Sequence, residues 1–240
     1  TARIFARLVG VFIKNAEGIL IIGASSSSRL IGKYLHENGR HVVLVDNNSD
    51  NVQKAKDLGL EAIEGSVYQD DLMNNIELND VGYLMAMTGN SDINRTAIIK
   101  FQKQFGEKGA FRLISSDEMN DPEVNPSEGL FSHTDDYIKL SEVSRKYAKI
   151  HESRLNSKEH YLGMLEISKT DPEIIPLFVK SPDGKLRIIP SHSAEVVITE
   201  GSKLVYLGKK ITKDINKGET QEDFEEAVEE LEPEKEKQKH

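Results

Sequence analysis

Residues 18–28 read Gly18-Ile19-Leu20-Ile21-Ile22-Gly23-Ala24-Ser25-Ser26-Ser27-Ser28, a short apolar run that stops at a glycine and opens into four serines. A continuous apolar run of this length is what a strand buried on both faces requires. The residues that follow, Arg29 to Glu37, place Leu30, Ile31, Tyr34 and Leu35 on one helical face, and Asn38-Gly39 stops the helix. A second strand is predicted at His41-Val42-Val43-Leu44-Val45, closed by Asp46. The same alternation continues outward. A helix is expected over 51–58 behind an Asn47-Asn48-Ser49 cap, a strand over 61–64, a short helix over 70–76, a strand over 83–87, a longer helix over 92–105 and a strand over 110–114. Strand and helix exchanging in this way predict an α/β fold, a Rossmann-like doubly wound parallel sheet.

The rest of the chain has another texture. Residues 115–133, polar and carrying Pro122, Pro126 and Gly129, read as a loop. Helical character returns over 135–155. Strands are then expected over 162–167, 174–179, 186–189, 195–199 and 203–207, with a hairpin turn at Ser181-Pro182-Asp183-Gly184. The expected organisation is a connector helix (1–16), a nucleotide-binding domain (17–133), linking or dimerisation helices (134–157), a small β-rich domain (158–212) and an acidic tail (213–240).

Of the formal net charge of −9, the tail holds −6, from eleven acids and five lysines. The remainder is only mildly acidic, which predicts no nucleic-acid partner. The chain has no Cys, so it has neither a disulfide nor a thiolate site. No apolar run approaches the roughly 20 residues of a membrane span. The start at Thr1 reads as a cut from a longer protein.

A dinucleotide fold normally reads G-x-G-x-x-G after its first strand: a tight turn, a close backbone approach for pyrophosphate, then close helix packing. Here only Gly23 is kept, and Ser25 and Ser28 stand at the second and third positions. A Cβ at Ser25 crowds a pyrophosphate, so a single phosphate is easier to house. Ser25, Ser26, Ser27 and Ser28 offer hydroxyls at a helix N-terminus, and Arg29 adds charge. The alternative reading is a vestigial site whose serines only cap the helix. Asp46 lies 23 residues after Gly23, close to the spacing of about 20 for the acid that binds ribose and rejects a 2′-phosphate. It also suits an ordinary cap of the next helix. Asn47, Ser66, Thr88 and Asn90 are expected to line the base pocket.

Catalytic patterns are missing. The one Tyr with a Lys four residues on is Tyr206 with Lys210, on the last expected strand rather than on a helix. The pairs Asp70-Asp71 and Asp135-Asp136 do not face each other on a helix. The histidines form no ligand pattern, so no metal is expected.

The segment from Gly18 to Ile114 resembles the nucleotide-binding domain of the potassium-conductance regulators, the KTN or RCK domains of TrkA-N type. The resemblance rests on the Gly23 turn, the run from His41 to Asp46, Gly65-Ser66-Val67, and Met87-Thr88-Gly89-Asn90 with Asn94. Residues 158–212, ending in Gly201 to Gly208, look like the TrkA-C domain that often follows, and residues 2–18 look like the junction found in sodium/proton antiporters. The resemblance implies a cytoplasmic, non-enzymatic regulatory unit on the inner face of the membrane, attached to a cation transporter domain N-terminal to it. It also implies a homodimer whose arrangement answers to an adenine nucleotide, AMP or NAD/NADH. Two departures stand out: the degraded glycine motif, and Ser66 where the family usually has an acid. The rival class is a divergent NAD-dependent reductase; a third reading is a dimerisation scaffold that binds nothing.

Overall fold

The computed structural model describes residues 17–69, 72, 80–106, 108–118, 121, 124, 126–131, 136–189 and 198–211. The expected connector helix, the helix at 70–76 apart from Leu72, and the tail fall outside these residues, as does all but the end of the strand expected at 195–199.

The first half is a five-stranded parallel sheet, β1 (Gly18–Ile22), β2 (Val42–Asp46), β3 (Glu61–Glu64), β4 (Val81–Ala86) and β5 (Gly109–Arg112), in the order β3-β2-β1-β4-β5. Its helices are α1 (Ser26–Glu37), α2 (Ser49–Asp57) and α3 (Ser91–Phe105). Side-chain alternation explains why the strands are apolar throughout. Ile19, Ile21, Val42, Leu44 and Met85 join one core with Ile31 and Leu35 of α1 and Val52 and Ala55 of α2. Leu20, Ile22, Val43, Val45 and Leu84 join the other with Ala97, Ile98, Phe101 and Phe105 of α3. A sheet covered on both faces leaves no solvent side for polar residues.

The second half is a four-stranded antiparallel sheet, β6 (Ile150–Arg154), β7 (Ile174–Lys180), β8 (Leu186–Ile188) and β9 (Lys203–Gly208), in the order β6-β9-β7-β8. One helix, α4 (Tyr137–Lys146), precedes β6, and a second, α5 (Lys158–Thr170), lies between β6 and β7. The hairpin turn at 181–184 forms as expected, with the Gly184 amide donating to the Ser181 carbonyl at 2.9 Å.

Two expectations are corrected. Helix over 135–155 holds only to Lys146, and residues 150–154 are an edge strand. Residues 162–167 are helix, not strand: Ser157 caps α5 by accepting from the His160 amide, and Tyr161, Met164 and Ser168 recur at helical spacing on its buried side. The segment 115–133 is also more than a connector. The Leu130 amide donates to the Arg112 carbonyl, and the Phe131 amide to the Ile189 carbonyl. Phe131 is buried at φ 70, its ring edge-on to Phe178.

Both halves share one core. Leu130, Phe131, Leu140 and Val143 sit in the same apolar cluster as the α1 face of the parallel sheet, and so do Ile175, Leu177, Phe178, Val205 and Leu207.

Candidate functional site

In an open parallel sheet the ligand crevice lies beyond the carboxyl ends of the strands, where the strand order reverses. Here the order reverses between β1 and β4. A cavity of about 620 Å³ opens at that point. Its floor is the set of turns after β1, β2, β3 and β4, and its far wall is α4.

The turn after β1 is fixed by its neighbours. The Gly23 amide donates to the Val45 carbonyl at 2.7 Å. Gly23 has φ +99, and a Cβ there would stand 3.0 Å from Thr88 Cγ2 and 3.1 Å from the Met87 carbonyl oxygen. The Ala24 amide donates to Asp46 Oδ2 at 2.6 Å. Gly23 and Asp46 are thus side by side at the carboxyl edge, with the Ala24 amide holding the carboxylate by a charge-assisted hydrogen bond. Asp46 Oδ1 also accepts from the Asn48 amide at 2.9 Å. The capping role considered for Asp46 falls instead to Asn48, whose side chain accepts from the Asp50 and Asn51 amides, while the Asp46 carboxylate lines the cavity and has lone pairs for further donors.

The serines divide. Ser25 and Ser26 line the cavity, while Ser27 and Ser28 do not and are buried. Ser25 Oγ accepts from the Ser28 amide at 3.2 Å and lies within hydrogen-bond reach of the Ser27 and Ser28 hydroxyls. The expectation of four hydroxyls facing a phosphate is therefore corrected to two, because Ser27 and Ser28, although in the first turn of α1, are on its buried side. Arg29 lines the cavity, donating to the Ala24 carbonyl and to Asn51 Oδ1. Its burial lowers the guanidinium pKa and the Asp46 charge opposes that. It remains a cation.

Asn47, Ser66 and Thr88 line the cavity as expected; Asn90 does not. Asn90 caps α3, its side chain accepting from the Asp92 and Ile93 amides. Thr88 is held by buried Asn94, which accepts from the Thr88 amide and hydroxyl and donates to its carbonyl. Sequence reasoning missed Asn51, Ile93 and the whole contribution of α4, namely Tyr137, Ile138, Ser141 and Arg145. Asn51 had a signal, since it sits in the first turn of the helix that begins three residues after Asp46. The α4 residues had none, because only the tertiary fold brings them to the strand ends. Tyr137 packs on the Gly89 backbone, where a Cβ would meet its ring at 2.9 Å. Among the described residues, no cluster of three or more His, Asp or Glu could hold a metal. None of their helices is long and apolar enough to cross a membrane.

This geometry can hold an anionic ligand carrying a vicinal diol: a carboxylate at the end of β2, a helix N-terminus at the end of β1, and two cationic side chains in the walls.

No curated protein matches the sequence. Among solved structures, the TrkA-N domain of inner membrane protein ybaL from Escherichia coli is 16% identical, with 44% of this chain and 91% of that one covered and a TM-score of 0.32. The NAD(P)-binding domain of an exopolyphosphatase-related protein from Archaeoglobus fulgidus is 14% identical over 44% and 78%, with a TM-score of 0.38. The GsuK channel bound to NAD is 14% identical over 87% of this chain, which spans 41% of that one, with a TM-score of 0.38. Residues 19–121 match the family model of the TrkA-N domain. The parallel-sheet segment of this chain is accordingly similar to domains of the TrkA-N type.

Proposed function

We propose that this chain is a regulatory nucleotide-binding module rather than an enzyme, and that its cavity takes an adenine nucleotide without a 2′-phosphate, AMP or NAD(H). The observation that carries this reading is the Ala24–Asp46 hydrogen bond, which sets the first-turn backbone and the carboxylate at one rim of the cavity. Ribose hydroxyls donate to Asp46. Phosphate lies toward the first turn of α1 and Arg29, and the base lies toward Asn47, Ser66 and Thr88. Of the Tyr-Lys spacing considered for a reductase, Tyr206 is buried in β9 within the antiparallel sheet, away from the strand ends that carry the cavity. That placement favours binding over hydride transfer.

The wider setting completes the proposal. The module works as a homodimer attached to a membrane cation transporter, sodium/proton antiport being the favoured type, and ligand shifts the arrangement only through unequal affinity for two states. In this reading residues 17–133 bind nucleotide, 134–157 link the protomers and 158–212 form the C-terminal regulatory domain. A thermal-shift panel of AMP, NAD, NADH and NADP tests the ligand. The first three are expected to raise Tm by roughly 5–10 °C at a hundredfold excess over Kd, and NADP is expected to leave it unchanged. No rise with any nucleotide overturns the reading and leaves a scaffold that binds nothing.

A further inference from the structure

The wall of the cavity opposite the strand ends belongs to α4, and no sequence motif accounts for it. Ser26 Oγ of α1 and Ser144 Oγ of α4 stand 3.4 Å apart, which brings the middle of α4 against the first turn of α1. Arg145, the next residue along, lines the cavity and is exposed. Its Nε donates to the Ser141 carbonyl at 3.4 Å within its own helix, and among the described residues no carboxylate pairs with it. Ser141 lines the cavity as well. Among the described residues, its Oγ is one of two buried side-chain polar atoms without a hydrogen-bond partner. A buried hydroxyl with no partner costs about 1–3 kcal/mol, and a polar ligand in the cavity that its residue lines can offer one.

The Ser25 substitution explains why a wall across the cavity matters. Glycine at the second motif position lets phosphate lie against the backbone. Here the Ser25 side chain stands in the cavity wall and is tied to the Ser28 amide. An anion must therefore stand off from α1, in the direction of α4.

We propose that Arg145 and Ser141 form a second anion-binding face, so that the ligand is an adenosine nucleotide whose phosphate chain, a diphosphate or longer, bridges Arg29 and α4. A lone phosphate reaches only the Arg29 side. This inference rests on the nucleotide reading above and adds a residue set and a chain length to it.

Isothermal titration of the full chain with ADP and with AMP tests it. The wild type is expected to bind ADP at least tenfold tighter than AMP. R145Q is expected to bring ADP down to the AMP affinity while leaving AMP within twofold. R145K is expected to recover part of the ADP preference, since it keeps the charge. S141A is expected to weaken ADP several-fold, and R29Q to weaken both nucleotides. Equal affinity of the wild type for ADP and AMP overturns the proposal, and so does an R145Q variant that keeps its preference. In either case the nucleotide reading stands. Absence of binding by both nucleotides overturns the two together.

Discussion

At the scale of single residues, Gly23 and Asp46 carry different burdens. Gly23 is required twice over, by its φ of +99 and by the 3.0 Å a Cβ would leave to Thr88. G23A is expected to cost about 1–3 kcal/mol in urea unfolding, the strained φ adding to the contact. Asp46 holds the Ala24 amide as well as facing the cavity. D46A is therefore expected to lower stability by about 1–3 kcal/mol through an unsatisfied amide, in addition to abolishing any nucleotide-induced rise in Tm. D46N keeps an acceptor, so it should recover most of the stability and little of the nucleotide response. His41 offers a pH test. It stands between Asp80 and Glu61, at 2.8 and 3.0 Å. Partial burial pushes the imidazole down, but hydrogen bonds and charge from Glu61 and Asp80 outweigh that and raise its pKa above 6.5. A raised folded pKa means that this contribution is fully present below about pH 6.5 and is lost as pH climbs through the folded value. H41Q should flatten that part of the stability profile, measured by denaturant titration at successive pH values.

Among the elements, α4 decides most and was least legible. Its apolar spacing predicts a helix, and a helix is there, but nothing local says that it closes the ligand cavity. Legibility followed how far each element depends on its own residues. β1 and β2 bury both faces, so Gly18–Ile22 and Val42–Val45 are apolar without a break and declare themselves. β6 lies at a sheet edge and reads Ile-His-Glu-Ser-Arg, half exposed. Its hydrogen-bond partner is β9, some 50 residues on, and the preceding helical period at Val143, Tyr147 and Ile150 ran misleadingly into it. In α5 the apolar run Leu162 to Ile167 hid a helical period, because periodicity in a short apolar run does not separate helix from strand. The cavity was legible wherever a motif marks a strand end, at Gly23, Asp46, Ser66 and Thr88, and illegible where a distant helix completes it. The seat of α4 yields a prediction. Tyr137 rests on Gly89, and a Cβ would meet its ring at 2.9 Å. G89A should loosen α4, seen as faster amide hydrogen exchange across 137–146, while strands β1 and β2 keep their protection.

For the molecule as a whole, a hydrogen-bonded strap complements the shared core. Glu152 of β6 accepts from Tyr34 of α1, from Lys180 of β7 and from Lys203 of β9, and Lys180 also reaches Asn38. Burial alone would raise the Glu152 pKa, but the hydrogen bonds from Lys203, Lys180 and Tyr34 overcome it and hold the carboxyl at about 2. A depressed pKa contributes stability above the ordinary carboxyl range, and that contribution is lost as pH falls toward 2. Residues 17–209 are expected to unfold in one transition, and E152Q to shed the part of the acid sensitivity between about pH 5 and pH 2 that this carboxyl supplies. Two transitions by circular dichroism would refute the common core as a cooperative unit. The position of α4 has a last consequence. Tyr137 and Arg145 line the crevice, while the Val143 methyl lies 3.0 Å from where a Cβ on Gly208 would stand and Tyr147 grips Glu173 at the head of β7. A beam built into two rooms passes load both ways. Whatever grips the antiparallel half and shifts α4 must alter affinity at the crevice, and a ligand in the crevice must alter that grip by the same factor.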